Sequence, residues 1–93
     1  MDYTQRYQYD SFKVYGSGSQ FLAEDISGKQ VAFITCETAP VDVRFDAPDT
    51  VTDGHVLSVG DTLTLFGYNN IRRFRFNLGG GTLKVSFGPD VSL

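Results

Sequence analysis

Between Val41 and Phe87 the chain alternates apolar and polar residues in four short runs, VDVRF, TLTLF, RRFRF and TLKVSF. Gly, Asp, Asn or Pro separates each run from the next. A side-chain period of two belongs to a strand with one buried face, because successive side chains point to opposite sides of a sheet. No helical pattern interrupts the series. The sequence therefore predicts an all-β fold, a small antiparallel β-sandwich or barrel of about six to eight strands.

Parity assigns the core. Val41, Val43 and Phe45 point inward, as do Leu63 and Leu65, Phe74 and Phe76 in a strand from Ile71 to Asn77, and Leu83, Val85 and Phe87. Asp42, Arg44, Asp46, Arg73, Arg75 and Lys84 point outward. Gln30–Cys36 is apolar at most positions, which predicts a central strand covered on both faces. Ala47–Gly54 is rich in Pro, Asp and Gly and reads as a loop. His55–Ser58 is a short edge strand, and Tyr68-Asn69-Asn70 a turn. Tyr7 to Tyr15 suits a first strand, broken by Gly16-Ser17-Gly18-Ser19. Phe21, Leu22 and Ile26 form an apolar patch that suits either a strand or a single helical turn. We read one domain over residues 1–93, with 1–29 as an N-terminal arm or first strands and 30–87 as the β core.

Composition removes several function classes. The net charge is −3 and the isoelectric point about 4.8. A global attraction to nucleic acid or to anionic membranes is not expected. No apolar run approaches the roughly 18 residues of a membrane helix, and the polar start MDYTQRYQYD does not read as a signal peptide. The single cysteine, Cys36, excludes an internal disulfide and a multi-cysteine zinc site. It reads as a small core residue. His55, the only histidine, has no nucleophile beside it in the pattern. Asp46, Asp49 and Asp53 share a loop, but their spacing is not that of an EF-hand. Gly79-Gly80-Gly81 precedes a strand and lacks the Lys-Ser/Thr of a phosphate loop, so it reads as a hairpin tip. No acid–base pair stands out, and the expectation is a protein without catalytic residues, metal or cofactor.

Two features suggest contact surfaces. Tyr3, Tyr7, Tyr9 and Tyr15 concentrate near the N-terminus, and Tyr is enriched in interfaces. Arg72, Arg73 and Arg75 alternate with Phe74 and Phe76, superficially like a strand that stacks bases. Alternation puts those two Phe in the core, where they cannot stack on a ligand. An acidic protein partner suits this basic stripe better than nucleic acid, unless Asp42, Arg44 and Asp46 pair with it across neighbouring strands. The interface candidates are Tyr3, Tyr7, Tyr9, Arg73 and Arg75. Tyr68, Phe66 and Tyr15 are the aromatics from which a carbohydrate-binding platform would have to be built.

The segment Thr38 to Phe87 resembles small β-sandwich virion proteins of tailed bacteriophages. The residues that carry the resemblance are Pro40 to Phe45, Gly54-His55, Gly60-Asp61-Thr62-Leu63, Ile71 to Phe76, and Leu83 to Val85. These are strand and turn residues, and the match covers roughly half the chain. The resemblance implies a virion structural component assembled in the host cytoplasm. It would be a capsid decoration (cement) protein or a neck or tail accessory subunit. Its partner would be the phage major capsid protein or another virion protein, its own state a trimer or dimer, and no family catalytic residue carries over.

Overall fold

The computed structural model describes residues 8–89. In chain order its elements are β1 (Ser11–Tyr15), α1 (Ala23–Ile26), β2 (Val31–Glu37), β3 (Val41–Arg44), β4 (His55–Leu57), β5 (Thr62–Phe66), α2 (Tyr68–Arg73), β6 (Arg75–Asn77) and β7 (Thr82–Gly88). Seven strands form two antiparallel sheets, ordered β1-β7-β2-β5 and β4-β3-β6. The fold is the small all-β sandwich that alternation predicts. β2 is central, hydrogen-bonded to β5 on one side and β7 on the other, but the expected cover on both faces is corrected: Ala32, Ile34 and Cys36 are buried against the core, while Phe33 and Thr35 on the outer face stay partly exposed.

Register aligns the apolar side chains into layers. Ile34 lies opposite Leu63 and Val85, Ala32 opposite Leu65 and Phe87, and Cys36 opposite Leu83. From the other sheet Val41, Val43 and Phe76 complete the core. Each large side chain so buried contributes about 1.5–3 kcal/mol relative to exposure. Phe21 is the hub of the aromatic packing. Its ring centroid lies 5.1 Å from Tyr15, 5.4 Å from Phe74, 5.8 Å from Phe76 and 5.2 Å from Phe87. Cys36 is fully buried, and its thiol donates weakly to the carbonyls of Ala39 and Leu57 at 3.3 and 3.4 Å. Burial pushes the thiol pKa up, so Cys36 is an inert core residue.

Three further expectations need correction. The strand expected over Ile71–Asn77 begins only at Arg75, because Tyr68 to Arg73 forms helix α2. Gly67, at φ 89°, turns the chain, and the Asn70 side chain donates to the Phe66 carbonyl at 2.7 Å. Ile71 then points into the core from a helical turn instead of a strand. Second, Phe45 has the core parity but is 41% exposed. β3 ends at Arg44, and Phe45 lies at the open end of the sandwich. Third, Leu63 is only half-buried, packed against the margin of the core.

The Phe21–Ile26 patch resolves as a single helical turn, α1, with Phe21 and Ile26 buried and Leu22 exposed. In β1 Ser11, Lys13 and Tyr15 share one parity, opposite Phe87, Val85 and Leu83, but only Tyr15 is buried and Lys13 is exposed. Phe12 and Val14 face outward and are exposed.

Candidate functional site

The open end of the sandwich is built by one strand terminus and one loop. β3 delivers Arg44, and the chain leaves the sheet through Phe45, Asp46 and Ala47, the last in the left-handed region at φ 55°. The following loop returns to β4, where Val43 pairs with His55. Val51 is buried beneath this loop, and the Asn77 amide of β6 donates to the Val51 carbonyl at 3.1 Å. Gly54 allows the return. A Cβ there would stand 2.5 Å from the Val43 carbonyl oxygen and 2.9 Å from Arg44 Cγ, too close for any side chain.

The resulting cleft, of about 550 Å³, is lined by Arg44, Phe45, Asp46, Asp53, Gly54 and His55. Phe45 is its apolar centre. Its ring lies 5.8 Å from Phe74 beneath it and 5.7 Å from the exposed His55 imidazole beside it. Arg44 grips Asp46 through two hydrogen bonds, Nε to Oδ1 at 2.9 Å and a second guanidinium N–H to Oδ2. That bidentate contact raises the Arg44 pKa and holds the Asp46 carboxyl below the usual carboxylate range. Arg73 adds to the lowering at Asp46, and Asp53 to the raising at Arg44. The four groups therefore form one charged rim.

The arginines near the rim are unevenly paired. Arg44 and Arg75 are direct cross-strand partners of β3 and β6, an arrangement in which like charges repel. Arg44 turns to Asp46, while Arg75 donates to the Arg72 and Phe74 carbonyls at 2.8 and 3.0 Å. Among the described residues no carboxylate lies within ion-pair distance of Arg72, Arg73 or Arg75. These three and Arg44 are four of the eight basic residues in a chain of net charge −3. Asp42 of β3 and Asp46, Asp49 and Asp53 of the following loop match them in number.

The interface candidates do not form one surface. Arg73 sits in α2 and Arg75 on the outer face of the three-stranded sheet. Tyr9 lies over Phe33, ring centroids 6.3 Å apart, on the outer face of the four-stranded sheet, the opposite side of the sandwich. Tyr3 and Tyr7 lie outside the described residues. The carbohydrate platform is corrected at Tyr15, whose ring is in the core and whose hydroxyl donates to Asp25 at 2.6 Å. Phe66 and Tyr68 are exposed, without that third ring beside them. Asp46, the first carboxylate of the calcium-like loop, is taken by Arg44, and among the described residues no three His, Cys, Asp or Glu side chains cluster to hold a metal.

Sequence parity missed the site because it assigned Phe45 to the core and His55 to an unremarkable edge. The one available signal was position. Phe45 is the last apolar residue before Asp-Ala-Pro, where a strand ends and cover from the facing sheet can end with it. No helix of the described residues is long and apolar enough to cross a membrane. No protein-family model, curated protein or solved structure matches this chain.

Proposed function

We propose that this protein is a non-enzymatic structural component of a tailed-bacteriophage virion, a decoration protein that docks on the assembled head and stabilises it. The observation that carries the reading is the open end of the sandwich. There an exposed aromatic ring just past a strand terminus is rimmed by Arg44, Asp46, Asp53 and His55. Exposed aromatic and Arg side chains on a rigid scaffold are the composition of protein–protein hot spots. The strand and turn motifs from Pro40 to Val85 support the virion assignment by resemblance.

The mechanism is mechanical. Copies bind surface that exists only in the assembled, expanded shell, and ligation of one state stabilises it by mass action. A trimer or dimer around a symmetry axis suits such a protein. Among the described residues β1 and β5 are the outermost strands of the four-stranded sheet, and an edge strand gives a small sandwich reason to be covered by a neighbour.

The test is co-sedimentation of the purified protein with emptied, expanded heads, with its mass measured by light scattering. Binding to expanded heads and not to unexpanded ones is expected. Binding to isolated tails alone would reassign it to the neck or tail, and binding to no virion part would end the reading.

A further inference from the structure

We infer that the outer face of the four-stranded sheet is the contact between two copies of this chain, packed face to face about a two-fold axis. The inference goes beyond the virion reading and stands on separate observations.

The face is poor in charge. On its four strands the outward residues alternate with the core set, and only Lys84 and Glu37 among them carry charge. These two pair with each other at 2.7 Å. The large side chains of the face are Phe12, Val14, Phe33 and Phe66, with Ser86 and threonines between them. Phe12 is 58% and Val14 54% exposed, at an edge where a solvated strand ordinarily carries polar or charged residues. Register sets Phe12 beside Ser86 and Ser86 beside Phe33, and Tyr9 lies over Phe33. The apolar strip therefore runs from the edge of the sheet to its centre. Depletion of charge together with aromatic side chains is what separates the core of an interface from ordinary surface. The other broad face contrasts with it, because the outward residues of β3 and β6 include Asp42, Arg44 and Arg75.

The balance of charge selects a second copy as the occupant. In a two-fold contact one patch meets itself, so any net charge on it is set against its like. This face has none, whereas the whole chain carries −3. Across the axis Lys84 can exchange partners and meet Glu37 of the second copy. The area suffices as well. The molecule measures 36 × 31 × 18 Å, so a broad face of 36 by 31 Å spans about 1,100 Å² in projection. A standard interface takes roughly 800 Å² from each partner. Pairing through two β1 edges is the weaker geometry. Lys13 sits at the middle of β1 and would stand opposite its own copy when the strands overlap fully.

Sedimentation velocity and light scattering measure the association of the intact protein. Mass should rise with concentration from the 10.3 kDa of one chain to twice that value, with a Kd of about 0.1 mM or below. Phe12→Glu combined with Val14→Glu should weaken the dimer about a hundredfold, as loss of the central apolar contacts of an interface does. Both positions are exposed, so thermal melts should not move. Lys84→Glu leaves the face with two negative charges, and Glu37→Lys leaves it with two positive ones. Each variant alone should stay monomeric, and an equimolar mixture of the two should recover the dimer. That recovery requires two such faces in contact, and no change in the fold of either chain produces it.

A monomer at every concentration up to about 1 mM, a trimer, a dimer that these substitutions leave unchanged, or a mixture no more associated than its components would each overturn the inference. A monomer that binds heads and loses that binding with Phe12→Glu would give the face to the virion partner, which overturns it too. A dimer that behaves as expected and binds no virion part keeps this interface and ends the virion role.

Discussion

Tyr15 is held in the core by its ring and tied to solvent-side chemistry by its hydroxyl. The ring packs on Phe21 and on Phe76 at 6.0 Å, edge to face. The hydroxyl donates to Asp25, whose side chain is only 7% exposed and also faces Lys13 Nζ at 3.6 Å. Burial first, and then the Asp25 carboxylate, push the Tyr15 pKa well above its ordinary value. A raised phenol pKa means the folded state resists ionisation. This contribution is intact below the unfolded value of about 10 and is lost as the pH rises above it. Absorbance titration should therefore show one tyrosine that ionises only as the protein unfolds in alkali, and Tyr15→Phe should remove that group from the titration. At neutral pH the same substitution should cost about 1–3 kcal/mol, since it strips a donor from a buried carboxylate. Phe74 tests the core itself. It is fully buried against Phe21, Phe45 and Phe76, and Phe74→Ala should cost about 3–5 kcal/mol in chemical denaturation. A loss under about 1 kcal/mol would contradict its burial.

At the scale of elements, the loop between β3 and β4 is what shapes the cleft. Its return depends on the bare Cα of Gly54 against Val43 and Arg44. Gly54→Ala should destabilise the protein by about 1–3 kcal/mol through overpacking. It should also move the amides of Phe45 and His55, because the clash is against backbone that cannot swing away. Unchanged stability and unchanged shifts would mean the loop does not press on β3. Helix α2 shows how local chemistry outvotes a period. Arg72 to Phe76 alternates like a strand, yet Ile71 donates its N–H to the Gly67 carbonyl at 3.2 Å and Phe74 closes the turn on Ile71. Arg72 and Arg73 fall in the last turn, where cations complement the helix carbonyls. The turn ends at Phe74, so Phe74 and Phe76 keep their buried positions while Arg73 and Arg75 separate onto different elements.

For the whole molecule, two small sheets share one aromatic core, and both helices are short. Far-UV circular dichroism should show a sheet spectrum. A helical share near the one third typical of globular proteins would contradict the fold. The outer face of the four-stranded sheet is mixed: β1 leaves Phe12 and Val14 exposed, whereas on the inner strands Lys84 of β7 pairs with Glu37 of β2 at 2.7 Å.

The sequence by itself determined the fold class, the central place of Gln30–Cys36 and most of the core. Each follows from a period of two, which depends only on neighbouring residues and on which face water touches. It correctly put Val43, Leu65, Phe74, Phe76, Leu83, Val85 and Phe87 inside. Tertiary structure decided the rest. Phe21 became the aromatic hub because four distant rings converge on it, a fact no local pattern encodes. Phe45 became exposed because burial needs cover from another element as well as parity, and Phe45 lies past the end of β3 at the open end of the sandwich. The candidate site exists because β3 pairs with both β4 and β6, bringing Arg44, His55 and Arg75 together across the chain. Pairing between strands distant in sequence is set by the packing of the whole core, so the chemistry it assembles becomes legible only once the sheets have closed.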